Sequence, residues 1–143
     1  EYADTVRPLP GASELLQRLS ALGVPWAIAT SSRLETATST MAMLGVPDGV
    51  PVVTRDRVER AKPDPDLVLA AAEELSVPIE DCIVVGDSVW DLLAARRARA
   101  LGVGLLTGGY GIGELEQAGA YRVYEDPGDM LRHLDELGIR DLD

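Results

Sequence analysis

Three short stretches of this chain hold residue types whose spacing could do chemistry. Gly86-Asp87-Ser88-Val89-Trp90-Asp91 carries carboxylates at i and i+4, a spacing that puts them on one side of a first helical turn. Like charges that close repel. A helix N-terminus relieves part of the repulsion and a hard divalent cation more of it; magnesium typically takes one or two protein carboxylates with waters and phosphate oxygens. The plainer alternative is a capping aspartate followed by an unrelated surface aspartate. Lys62 stands in Arg60-Ala61-Lys62-Pro63-Asp64-Pro65-Asp66, where two prolines stiffen the backbone beyond it. So held, its ammonium could neutralise a phosphoryl group and orient a carboxylate, whereas most isolated lysines are simply solvated. Thr30-Ser31-Ser32 offers hydroxyls and backbone N–H groups that can receive an anion at a helix start, although such clusters also serve as ordinary helix caps.

The surrounding pattern says what positions these residues. Leu15, Leu16, Leu19 and Leu22 predict an amphipathic helix between Pro10 and Gly23. Val24 to Ala29 reads as a buried strand ending at Thr30, Leu34 to Leu44 as a helix, and Pro51 to Thr54 as a second strand. Asp66 to Leu75 reads as a helix capped by Asp66, and Cys82-Ile83-Val84-Val85 is the clearest buried strand. A helix from Val89 to Leu101, a strand from Gly102 to Leu106, a short helix around Gly113 to Ala118, an edge strand Tyr121 to Tyr124 and a helix from about Gly128 to Leu137 complete the order. Alternating strands and helix-length crossovers predict an α/β fold, a Rossmann-like three-layer sandwich with a mostly parallel sheet. In such sheets ligands bind beyond the carboxyl ends of the strands, where all three clusters fall.

Composition narrows the classes. The chain of 143 residues has 24 acidic and 13 basic side chains, a formal charge of −11, which argues against nucleic-acid or anionic-membrane partners. Its length suits one domain, and Leu, Val, Ile and Ala must fill the core because Phe is absent. The lone cysteine, Cys82, excludes an internal disulfide, and no apolar run approaches the roughly 20 residues that span a bilayer. A reducing cytoplasmic setting is the simplest expectation. Cys82 reads as an inert core thiol, and His133, without a Cys or His partner nearby, as a surface or packing residue. The glycines of Gly109-Tyr110-Gly111-Ile112-Gly113 are misplaced for a dinucleotide loop.

In order and spacing, Ile28-Ala29-Thr30-Ser31-Ser32, Lys62-Pro63-Asp64-Pro65-Asp66 and Val85-Gly86-Asp87-Ser88-Val89-Trp90-Asp91 together resemble the haloacid dehalogenase (HAD) superfamily. Pro10-Gly11-Ala12-Ser13-Glu14-Leu15-Leu16 and Thr107-Gly108-Gly109-Tyr110-Gly111 add to the likeness, which covers nearly the whole chain. The resemblance implies that Thr30 and Ser31 bind the phosphoryl group, that Lys62 stabilises it with the attacking carboxylate, that Asp87 ligates Mg2+, and that Asp91 supports the metal directly or through a neighbour. The Gly-Asp-Ser-x-x-Asp form resembles the magnesium-dependent phosphatases, so the implied reaction is hydrolysis of a small phosphorylated metabolite through an aspartyl-phosphate. Family members also open with an apolar strand ending in Asp-x-Asp, whose first aspartate is the nucleophile, followed by a helical cap. This sequence contains no such element. Asp4, Asp64, Asp66, Asp141 and Asp143 are poor substitutes, so residues 1–143 are expected to be a core missing its first strand and cap, inactive alone and completed by an N-terminal segment or by self-association. The competing expectation is a receiver-like or degenerate phosphate- or metal-binding module, which the lysine-before-aspartate order disfavours.

Overall fold

In the computed structural model of the protein, the described residues are 11–30, 49–60 and 62–139. The expected helix at Leu34–Leu44, the residues before Gly11, Ser31 and Ser32 lie outside them. Helix α1 (Ala12–Ala21) buries Leu15 and Leu19, one turn apart on one face. It stops at Gly23, where φ is 75° and the N–H donates to the Ser20 carbonyl while Val24 N–H donates to Leu19. That closure, together with Pro25, takes Val24–Ala27 out of the expected strand. Strand β1 is only Ile28–Ala29, pairing in parallel with β2 (Val52–Val53).

Helix α2 (Asp66–Leu75) starts where expected, but Pro65 occupies the cap position and Asp66 the first turn, where its carboxylate accepts the backbone N–H of Arg60 at 3.2 Å. The remaining elements are β3 (Ile83–Gly86), α3 (Val89–Ala98), β4 (Leu101–Leu105), α4 (Ile112–Gln117), β5 (Ala120–Tyr124) and α5 (Pro127–Leu131). Strands β3, β4 and β5 form a second parallel sheet in that order. The expected final helix divides. Asp126 caps α5, the backbone leaves helical angles at His133 (φ −129°, ψ 27°), and a 3-10 turn follows over Leu134–Leu137. The His133 ring stacks on Tyr124 with centroids 5.9 Å apart, and its Nδ1 lies 2.8 Å from the Asp129 carbonyl oxygen.

Side chains leave the second sheet on both faces. Val103 and Leu105 pack with Leu15, Leu19, Tyr124, Met130 and Leu134, which joins β4 to α1 and α5. On the other face, α3 and α4 bring Leu92 and Leu115 against Val123 and Ala120, and α2 packs outside α3 through Val68, Ala94 and Ala98. A Cβ at Gly104 would fall 3.1 Å from Leu115 Cδ1, so the missing side chain is what lets α4 lie close to the sheet. The result is the Rossmann-like α/β arrangement of helices on both faces of parallel strands.

One expectation fails. Cys82–Val85 reads from the sequence as the clearest buried strand, yet none of the β3 residues is fully buried and Val85 is 41% exposed. Among the described residues β3 pairs only with β4, and β1 only with β2. Alternation identifies the backbone groups that no strand among the described residues pairs. Ile28 and Thr30 N–H bond to Pro51 and Val53, so Ala29 points its backbone N–H and C=O away from β2. Leu101 N–H bonds to the Cys82 carbonyl, so the backbone groups of Ile83 and Val85 point away from β4.

Candidate functional site

The site is assembled where β1, β3 and β4 end. Asp87 follows β3, Thr30 follows β1, and Lys62 comes from the loop after β2. Asp87 and Asp91 do not share a helical turn, because the N-cap of α3 is Ser88 and Asp87 precedes it. Ser88 Oγ accepts the Asp91 backbone N–H at 3.2 Å, and Asp91 Oδ2 accepts the Ser88 backbone N–H at 3.3 Å, a reciprocal capping box. The same Oδ2 accepts the Asp87 backbone N–H at 3.2 Å and the Ser88 hydroxyl at 3.0 Å. Asp91 thus folds back over the end of β3. A Cβ on Gly86 would lie 2.2 Å from Asp91 Cβ, so the strand must end in glycine for this fold-back to exist.

The other Asp91 oxygen, Oδ1, takes Lys62 Nζ at 2.5 Å, and the two side chains are only 14% and 16% exposed. Lys62 Nζ also donates to the Ala29 carbonyl at 3.4 Å, one of the groups that β2 leaves unpaired. The lysine therefore ties the end of β1 to the N-terminus of α3, and it is not a solvated loop residue. This restricts what Asp91 can do. Both of its oxygens are already engaged, so its carboxylate anchors Lys62 and caps α3. Asp87 differs: Oδ2 accepts the Thr107 hydroxyl at 3.4 Å, while Oδ1 has no hydrogen-bond partner among the described residues.

No group of three or more His, Cys, Asp or Glu side chains among the described residues is placed to hold a metal. Asp87 alone meets the lower bound of what magnesium asks of a protein, one carboxylate with the remaining positions filled by water and phosphate oxygens. Thr30 is joined to β2 through its N–H to the Val53 carbonyl at 2.9 Å. It adjoins Ala29, and so Lys62; Ser31 lies outside the described residues.

Ser88, Thr107, Gly86 and Gly108 were not singled out from the sequence as parts of the site. The Ser88-x-x-Asp91 spacing is a legible capping-box signature that would have found the first. Thr107 needed the β3–β4 pairing. Cys82 and His133 stand apart from the site. Burial, then Asp81 and Glu80, push the Cys82 thiol up from its ordinary value, consistent with an unreactive thiol.

A parallel sheet covered by helices on both faces, with polar side chains gathered at its carboxyl edge, defines a Rossmann-like α/β protein. The comparisons with known proteins narrow that class. The family model for haloacid dehalogenase-like hydrolases matches residues 1–99, and the chain belongs to that family. It is 38% identical over 93 residues to hexitol phosphatase A of Escherichia coli (strain K12), a match covering 65% of this chain and 43% of that protein. Among solved structures, a hydrolase from Pseudomonas syringae superposes with a TM-score of 0.91 at 54% identity, covering 94% of this chain and 63% of that one. A HAD family hydrolase from Deinococcus radiodurans R1, solved with bound phosphate and sodium, gives a TM-score of 0.81 at 33% identity, covering 90% of this chain and 59% of that one. The chain therefore spans less than two thirds of the length of each of these proteins. No helix among the described residues is long and apolar enough to cross a membrane.

Proposed function

We propose that this chain is the phosphate- and metal-binding part of a phosphatase core that hydrolyses small phosphate monoesters. The observation that carries the reading is the Lys62 ammonium, held by Asp91 Oδ1 at 2.5 Å and by the Ala29 carbonyl, at the strand ends where phosphoryl groups bind in such sheets. The relatives agree with it: one is a hexitol phosphatase, and another HAD hydrolase was solved with phosphate.

Each residue then has a task. Lys62 supplies positive charge to the phosphoryl oxygens and to the attacking carboxylate, while Asp91 fixes where that charge sits. The hydroxyls of Thr30 and Ser31 donate to phosphoryl oxygens. Asp87, with its open Oδ1, is the carboxylate through which Mg2+ would be held; bound there, the ion would neutralise charge on the transferring group. Asp91 acts on the metal only through this framework. The nucleophile is an aspartate on a strand that fills the gap between β1 and β3, completing the sheet from an N-terminal segment of the full-length protein. Ala29, Ile83 and Val85, which turn backbone groups that no strand among the described residues pairs toward that gap, support this placement. Attack by that carboxylate on phosphorus breaks the ester P–O bond while the second aspartate of the Asp-x-Asp element protonates the leaving oxygen; water, giving its proton back to that aspartate, then cleaves the aspartyl-phosphate to free phosphate.

The test is magnesium-dependent phosphate release from sugar phosphates and phosphoglycolate by the full-length protein, alongside Lys62→Met. The reading expects turnover that falls at least about 100-fold in the variant, as for loss of a transition-state charge donor. Wild-type turnover in Lys62→Met, or none in wild type on any phosphate monoester, contradicts it. Residues 1–143 alone are expected to release no phosphate.

A further inference from the structure

We propose that the turn Leu106–Gly108, at the end of β4, positions Asp87, and that Thr107 is the residue that fixes the direction of its carboxylate. This rests on the reading of Asp87 as the carboxylate turned toward the metal and phosphate.

Two separate contacts support it. The Thr107 hydroxyl donates to Asp87 Oδ2 at 3.4 Å, while Oδ1 has no partner among the described residues, so the carboxylate is tethered on one side and open on the other. That bond is long beside the usual distance of about 2.7 Å for O–H···O, which makes the second contact important. A Cβ added to Gly108 would fall 2.2 Å from the Asp87 carbonyl oxygen and 2.9 Å from its Cγ, so the turn backbone already lies against Asp87. Parallel pairing creates this proximity, because Gly86 at the end of β3 is in register with Gly104, and the residues leaving both strands emerge side by side. About its Cα–Cβ bond an aspartate side chain has three staggered wells open to it. One hydroxyl on Oδ2 and a wall beside Cγ are enough to favour a single orientation. Both contacts are to Asp87, so both residues act through it. Partners that orient a ligating carboxylate are typically worth about 10- to 100-fold in metal affinity or activity.

The experiment uses the full-length protein and the variants Thr107→Val, Thr107→Ser and Gly108→Ala. In metal-free protein, NMR couplings between the Asp87 α and β protons are expected to report one rotamer in wild type and Thr107→Ser, and averaging in Thr107→Val. Calorimetric titration with Mg2+ is expected to show binding weakened about tenfold or more in Thr107→Val and Gly108→Ala, and restored to within about threefold in Thr107→Ser. A single Asp87 rotamer with unchanged Mg2+ affinity in Thr107→Val overturns the proposal, even if that variant melts at a lower temperature. If the couplings behave as expected but wild type binds no Mg2+, the positioning role stands and the reading of Asp87 as a metal ligand fails.

Discussion

Replacing Asp91 by Asn separates two accounts of the acidic pair by the sign of one number. If Asp87 and Asp91 were two like charges awaiting a cation, removing one would stabilise the metal-free protein, by about 0.2–0.5 kcal/mol for carboxylates at i and i+4. The structure gives the opposite sign. Asp91 Oδ1 pairs with Lys62 at 2.5 Å, with both side chains about five-sixths covered (14% and 16% exposed). Exposed pairs contribute about 0.2–1 kcal/mol, and breaking a buried pair from one side costs about 3–5 kcal/mol, so about 2 kcal/mol is lost here. Asparagine also has only one carbonyl oxygen to divide between Lys62 and the donors at Asp87 and Ser88, so its amide meets another donor on one side. Weakening the capping box adds about 1 kcal/mol. The total, about 3 kcal/mol, outweighs the relief of repulsion roughly sixfold or more and lowers the melting temperature by about 6–12 °C. Calorimetric melting of the full-length protein in the presence of a chelator reads it directly. A melting temperature unchanged or raised in Asp91→Asn would refute the reasoning, as would a coupling below about 0.5 kcal/mol in a double-mutant cycle with Lys62→Met.

Other substitutions and pH changes test the packing around the site. Gly104→Ala places a methyl 3.1 Å from Leu115 Cδ1 and 3.5 Å from Leu92 Cδ1, and should cost about 1–3 kcal/mol in urea denaturation. Gly113→Ala, in α4 with nothing within 4 Å, should instead add about 0.5 kcal/mol, and a loss would show the site is not open. The hydrogen bond to the Asp129 carbonyl, ahead of the Glu136 and Asp129 charges, raises the His133 pKa above its ordinary 6.5. Its stabilising contribution is therefore complete below pH 6.5 and lost as pH rises through the elevated folded value. The urea midpoint should fall across that window in wild type, and His133→Gln should remove that part of the pH dependence; an unchanged profile contradicts the assignment. Cys82, its thiol pushed up by burial and two carboxylates, should alkylate with iodoacetamide at neutral pH more slowly than a free thiol.

Much of the fold was legible because its signals are local. The leucine spacing of α1, the start of α2 at Asp66, and the alternation of apolar strands with helices each follow from periodicity and turn chemistry. The misreadings were of neighbours. Val24–Ala27 is as apolar as a strand, but Val24 closes α1 through Leu19 and the Trp26 indole N–H donates to Ser20 Oγ at 2.8 Å. The open edge of β3 cannot be read from its apolar run; it is expected only from the family resemblance, in which a further strand lies between those ending at Thr30 and Gly86. In the site, the residue types and their strand-end placement could be read from the chain, but the division of labour between the aspartates could not. That division depends on Lys62 crossing from one strand end to a helix start 29 residues further on, and on Thr107 arriving from the next strand. Contacts so distant in sequence leave no periodicity to read.

The proposed function requires these strand ends to form one phosphate-handling pocket, with Lys62 held by Asp91 and Asp87 open. A crystal structure of the full-length protein with magnesium and orthovanadate tests it most directly. The anion is expected within hydrogen-bonding reach of Lys62 Nζ and Thr30, the cation on Asp87 Oδ1, and Asp91 still paired with Lys62. An anion bound elsewhere, or Asp91 released from Lys62 onto the metal, would contradict it.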